Sequence, residues 1–135
     1  MGKVAVVYWS GTGNTEKMAE AVASACGGEL FTASDFSADK VSEYDAIAFG
    51  CPSMGAEELE DSEFEPMFSA CKPALQGKRI ALFGSYGWGD GEWMRNWEED
   101  CCAAGANLAC DFVICQEEPD DDAIAACKDL GQSLL

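Results

Sequence analysis

Short apolar runs separated by helical stretches constrain this chain more than any other feature. Lys3-Val4-Ala5-Val6-Val7-Tyr8-Trp9 is a continuous β-branched and aromatic run. Such a run reads as a strand buried on both faces, as in parallel sheets. A helix is expected from Thr15, with Met18, Ala19, Val22, Ala23 and Cys26 on one stripe and Gly27-Gly28 as its stop. Further strands are predicted over Glu29–Thr32, Ala46–Gly50, Arg79–Ser85 and about Asn107–Cys115, the last with a break near Asp111. Further helices are predicted over about Glu63–Lys72, Trp93–Ala104 and Asp120–Leu134. Alternation of this kind requires right-handed crossovers and gives an α/β fold, a parallel sheet with helices on both faces. At 135 residues, one domain spanning 1–135 is expected.

Charge and residue usage remove whole classes of function. Asp and Glu number 25 against 8 Lys and Arg, a net charge of −17. A field of that sign repels phosphate backbones and anionic lipid, so neither nucleic acid nor a membrane surface is expected as partner. The chain has no His, which removes Ser-His and Cys-His nucleophile pairs and His-ligated metals. No apolar run approaches the roughly 18 residues of a membrane span, and Met1–Ser10 lacks the apolar core of a secretory signal, so a cytoplasmic location is expected. The 8 Cys include no C-x-x-C, and the tightest spacings are Cys101-Cys102 and Cys110 with Cys115. They read as reduced, packing thiols, with no metal site and no catalytic residue among them.

In a sheet of this type, ligands sit at the carboxyl ends of the strands. Three loops of unusual composition leave those ends. Ser10-Gly11-Thr12-Gly13-Asn14-Thr15 joins a strand to a helix N-terminus, where free N–H groups and the positive dipole end attract an anion. It lacks the Lys of a P-loop and the third Gly of a dinucleotide fingerprint, so it suits one terminal phosphate held by neutral donors. Ser85-Tyr86-Gly87-Trp88-Gly89-Asp90-Gly91 places two aromatics among glycines, a stacking surface for a planar ligand. Cys51-Pro52-Ser53-Met54-Gly55-Ala56-Glu57 offers a soft Met beside a flexible Gly.

These three motifs, in this order, resemble the flavodoxins, specifically the short-chain kind of anaerobic bacteria, over essentially the whole chain. The resemblance implies a flavodoxin-like three-layer sandwich with a five-stranded parallel sheet in the order 2-1-3-4-5. It implies noncovalent FMN, with Ser10, Gly11, Thr12, Gly13, Asn14 and Thr15 around the 5′-phosphate and Ser85 as a further hydroxyl donor. Trp88 would stack on the outer flavin face and Met54 on the inner one, in a loop with Ser53 and Ala56. Glu57 would accept from flavin N3–H, and Tyr86, Gly87 and Gly89 would lie at the pyrimidine edge. Gly55 matches the family's switch residue, whose carbonyl turns toward N5 in the semiquinone. A Gly there permits both peptide orientations.

The function implied is a low-potential one-electron carrier, cycling mainly between semiquinone and hydroquinone and substituting for ferredoxin. The alternative is an FMN-dependent reductase of a nicotinamide or quinone, for which the sequence builds no substrate pocket. A receiver domain shares the architecture but needs an acceptor Asp where Gly50-Cys51 stands. Partners are expected to be ferredoxin-using oxidoreductases that dock basic faces on an acidic rim, and the protein is expected as a monomer.

Overall fold

A computed structural model describes residues 3–54, 58–87 and 89–135. Six strands alternate with four α-helices: β1 (Val4–Tyr8), α1 (Asn14–Cys26), β2 (Glu29–Thr32), β3 (Ala46–Gly50), α2 (Phe64–Cys71), β4 (Arg79–Tyr86), α3 (Glu92–Ala103), β5 (Asn107–Leu108), β6 (Val113–Gln116) and α4 (Asp121–Ser133). All pairings are parallel, in the order β2-β1-β3-β4-β5, with β6 also on β4. The flavodoxin-like order expected from the motifs is the one observed.

Side-chain alternation divides the core into two layers. Ala5, Val7, Ile47, Phe49, Ile80 and Leu82 face α2 and α3, and meet Phe64, Phe68, Trp93 and Trp97 there. Val4, Val6, Ala46, Ala48, Ala81 and Phe83 face α1 and α4, meeting Met18, Val22, Cys127 and Leu130. Small Ala on the second face lets two helices approach closely. Both faces of the central strands are therefore apolar, as the continuous runs required.

Three local features differ from the sequence reading. The fifth strand is interrupted as expected, but by a larger detour. Four residues, 109–112, stand opposite only two of β4, Ala81 and Leu82, between the Ile80–Leu108 and Phe83–Val113 pairs. That bulge re-aims the carboxyl end of β6. The helix ending before Pro73 continues as a 3-10 turn, Lys72–Leu75, which takes Pro because the first positions of a helical turn need no N–H. Two 3-10 turns, Ala33–Asp35 and Ala38–Glu43, link β2 to β3 where no helix was predicted. These turns, of three and six residues, are too short for their apolar anchors Ala33, Phe36 and Val41 to show a helical period.

Half of the cysteines are packing residues, whereas Cys102 is exposed. Cys51, Cys71, Cys101 and Cys127 are buried and none forms a disulfide. Burial pushes the thiols of Cys51, Cys101 and Cys127 up to about 12, so they stay protonated and weakly reactive.

Candidate functional site

The order β2-β1-β3 puts the switch point between β1 and β3, since the chain leaves them in opposite directions. The loops after β1, β3, β4 and β6 all leave the carboxyl edge beside it. Backbone hydrogen bonds hold them in mutual register: Trp9 N–H to the Gly50 carbonyl (3.0 Å), Cys51 N–H to Phe83 (3.1 Å) and Ser53 N–H to Ser85 (3.0 Å). Gly84 permits this approach, because a Cβ there would lie 2.2 Å from the Cys51 carbonyl oxygen.

The loop 10–15 folds around its own serine. Ser10 Oγ accepts from the N–H groups of Gly13 (3.0 Å) and Glu16 (3.3 Å). Gly13 is left-handed at φ 95° and turns the chain into α1, and a Cβ on it would meet nothing within 4 Å. The N–H groups of Asn14 and Thr15, at the dipole's positive end, have no hydrogen-bond acceptor among the described residues. Thr15 Oγ1 meets Ser85 Oγ at 3.1 Å, and both hydroxyls are buried. The structure thus brings the Ser10–Thr15 loop beside Ser85. A cleft of about 270 Å³ opens against this loop, lined in part by Trp9, Ser10 and Glu16.

Met54 and Glu58 exchange two backbone hydrogen bonds, 2.8 and 2.9 Å, on either side of residues 55–57. Met54 is 37% exposed, a large apolar side chain presented at the sheet edge beside Ser53. Tyr86 ends β4 and leans on Trp93 with ring centroids 5.5 Å apart, so its ring is part of the wall, not a free platform. Gly87 and Gly89 follow it, the latter left-handed at φ 88°. Gly55, Ala56, Glu57 and Trp88 lie outside the described residues.

Two residues have other roles than the sequence suggested. Trp9 was expected as core on a strand. It stands just past β1, half-buried, and donates its indole N–H to Glu63 at 2.9 Å. Glu60 lies among the acids that follow Met54 in the sequence, yet it is only 5% exposed. Its carboxylate caps α2, accepting from the N–H groups of Glu63 (2.8 Å), Phe64 (2.8 Å) and Ser62 (3.0 Å) and from the Ser62 hydroxyl. The spacing Glu60 to Phe64, ahead of an apolar run, was the available signal.

Burial pulls the Glu60 carboxyl upward, but the Ser62 hydroxyl and the three N–H donors outweigh it and hold the group below its usual range. A depressed carboxyl contributes stability above its unfolded pKa and loses it as pH falls through the folded value. Glu60→Ala should therefore cost about 2 kcal/mol at neutral pH and lower Tm by roughly 8 °C. The gap between wild type and variant should close as a thermal-melt series runs to acid. A gap constant down to the acid limit would contradict the capping role.

The turn after β6 forms a wall beside the end of β4. Glu117 N–H donates to the Tyr86 carbonyl (2.8 Å), and Gln116 Nε2 to that of Gly87 (3.4 Å). Lys17 of α1 pairs with Glu118 in the same turn. No sequence motif marks these residues, because their role rests on backbone contacts across the sheet.

Comparison with known proteins bears on this arrangement. The flavodoxin family pattern matches residues 6–130. The flavodoxin of Megasphaera elsdenii is 46% identical over 135 residues, covering 96% of each chain. That of Clostridium beijerinckii is 45% identical over 134 residues, again 96% of each. The solution structure of two-electron reduced Megasphaera elsdenii flavodoxin superposes with a TM-score of 0.89 over 97% of both chains. A flavodoxin from the domain Archaea, 29% identical, gives a TM-score of 0.85 over 98% of this chain and 95% of its own.

Proposed function

The chain belongs to the flavodoxin family, and from that premise we propose which of its residues hold the cofactor and what they do. The protein is a small FMN-binding electron carrier and not an enzyme. The residues present fit the cofactor. Asn14 and Thr15 offer N–H groups with no acceptor among the described residues, beside the buried Thr15–Ser85 hydroxyl pair. That donor set suits a phosphate dianion and carries the reading. The exposed Met54 offers an apolar face to a planar ring.

When bound, FMN supplies the one-electron chemistry, and the protein contributes binding, orientation and electrostatics. Ser10, Gly11, Thr12, Gly13, Asn14 and Thr15 hold the phosphate with Ser85, and Ser53 closes that side. Met54 and Trp88 would cover the two ring faces and exclude water. Glu57 accepts from N3–H, while Gly87 and Gly89, braced by Tyr86, bring backbone N–H groups to the pyrimidine edge. Gly55, with Ala56 after it, would set the peptide orientation near N5. The carrier works at low potential in place of ferredoxin, and basic faces of ferredoxin-using oxidoreductases dock on its acidic rim. No helix among the described residues is long and apolar enough to cross a membrane.

The test is a titration of apoprotein with FMN, wild type beside Trp88→Ala. Stacking adds about 1 kcal/mol beyond area burial, so the variant should bind roughly tenfold more weakly and recover flavin fluorescence. Unchanged affinity and quenching would move the stacking partner to the half-buried Trp9. Catalytic turnover with a reduced nicotinamide would support a reductase instead.

A further inference from the structure

Glu117 is the single non-glycine residue with positive φ among the described residues, at 59°. That left-handed conformation is disfavoured for any side chain bearing a Cβ. Its surroundings impose it: the Glu117 N–H donates to Tyr86 at 2.8 Å, Cys115 Sγ donates to the Glu117 carbonyl at 3.8 Å, and Gln116 Nε2 reaches Gly87. The outcome is a carboxylate laid against the neighbouring loop, with Glu117 Oε1 3.5 Å from the point where a Cβ on Gly87 would stand.

Nothing among the described residues uses that carboxylate structurally. It is exposed and accepts no hydrogen bond there. Two cations beside these loops pair with other carboxylates, Lys17 with Glu118 and Arg95 with Asp90. Asn or Gly would make the same turn with less strain. A strained residue that holds an unneutralised charge is a reason to look for function.

We propose that Glu117 is a potential-setting residue, held left-handed so that its carboxylate faces the Gly87 loop and opposes the negative charge that reduction brings there. The inference rests on the reading that this loop lines the flavin. It concerns a residue of the β6–α4 turn, apart from the three loops assigned to the cofactor.

The experiment measures both one-electron potentials and FMN affinity of holoprotein at low salt for wild type, Glu117→Gln and Glu117→Gly. Asp129→Asn on α4 supplies the same change in net charge away from the loops. Removing the Glu117 charge should favour the fully reduced state about tenfold, which is about 1.4 kcal/mol, or about 59 mV upward in the second potential. The shift should largely vanish near 1 M salt, where the screening length is about 3 Å. Glu117→Gly should also raise the Tm of the apoprotein by a few degrees, because it relieves the φ strain, and Glu117→Gln should not. FMN-loaded Glu117→Gln with potentials equal to those of Asp129→Asn would overturn this proposal alone. Wild type that fails to bind FMN would overturn the reading of the loops beneath it.

Discussion

Apoprotein should bind FMN at least roughly 100-fold more tightly than riboflavin, which differs by the phosphate. A charge-assisted hydrogen bond contributes about 1.5–3 kcal/mol, and the Asn14 and Thr15 N–H groups supply two of them at the start of α1. Two such bonds at the lower figure already give more than 100-fold. The surrounding charge of −17 works against the dianion. No Lys or Arg lies in loop 10–15, and Lys17, one turn into α1, is paired with Glu118. Backbone amides and the dipole must therefore outweigh the field, which short-range contacts do and distant screened carboxylates cannot. The preference should grow as ionic strength rises, because screening weakens the repulsion and leaves the contacts intact. Equal affinity for the two ligands at any ionic strength would refute the phosphate assignment.

Addition of the second electron should be harder than for free FMN. Full reduction places an anion in a protein that is already strongly acidic, and Glu58, Asp61 and Glu63 are exposed just beyond the Met54 loop. At an effective dielectric of about 20, a unit charge roughly 10 Å away opposes another by on the order of 1–2 kcal/mol before screening. Changing Glu58, Asp61 and Glu63 to their amides should raise the second potential and move the first less. Glu60 does not belong in that set. Its carboxylate holds four donors at the start of α2, so replacing it tests the fold and not the field.

Regular elements were legible because their signals are local. Ala46–Gly50 is a strand at the expected residues, and Gly27 ends α1 in the left-handed cap that a Gly pair announces. The turn into α1 was equally readable, since Ser10 to Thr15 are contiguous and Gly13 turns the chain into the helix start. What escaped depends on contacts across the sheet. Glu117 reads as one acid among many, and only its φ and its place against Gly87 set it apart. Glu60 reads as rim charge until the N–H groups of Glu63 and Phe64 are seen to converge on it. Trp9 continues an apolar run, but β1 stops at Tyr8 and the indole turns to Glu63. The detour at 109–112 was anticipated as a break, yet its size is set by what β4 can pair with on either side.

Everything above turns on one-electron carriage by FMN bound in these loops. A reductive titration of purified holoprotein at low salt, followed by its visible spectrum and poised against potential mediators, tests it most directly. Flavin bands are expected at one FMN per chain, lost on the way down in two separated one-electron steps, the second more negative than that of free FMN. A single two-electron step, or a chain that carries no flavin after exposure to FMN, would contradict it.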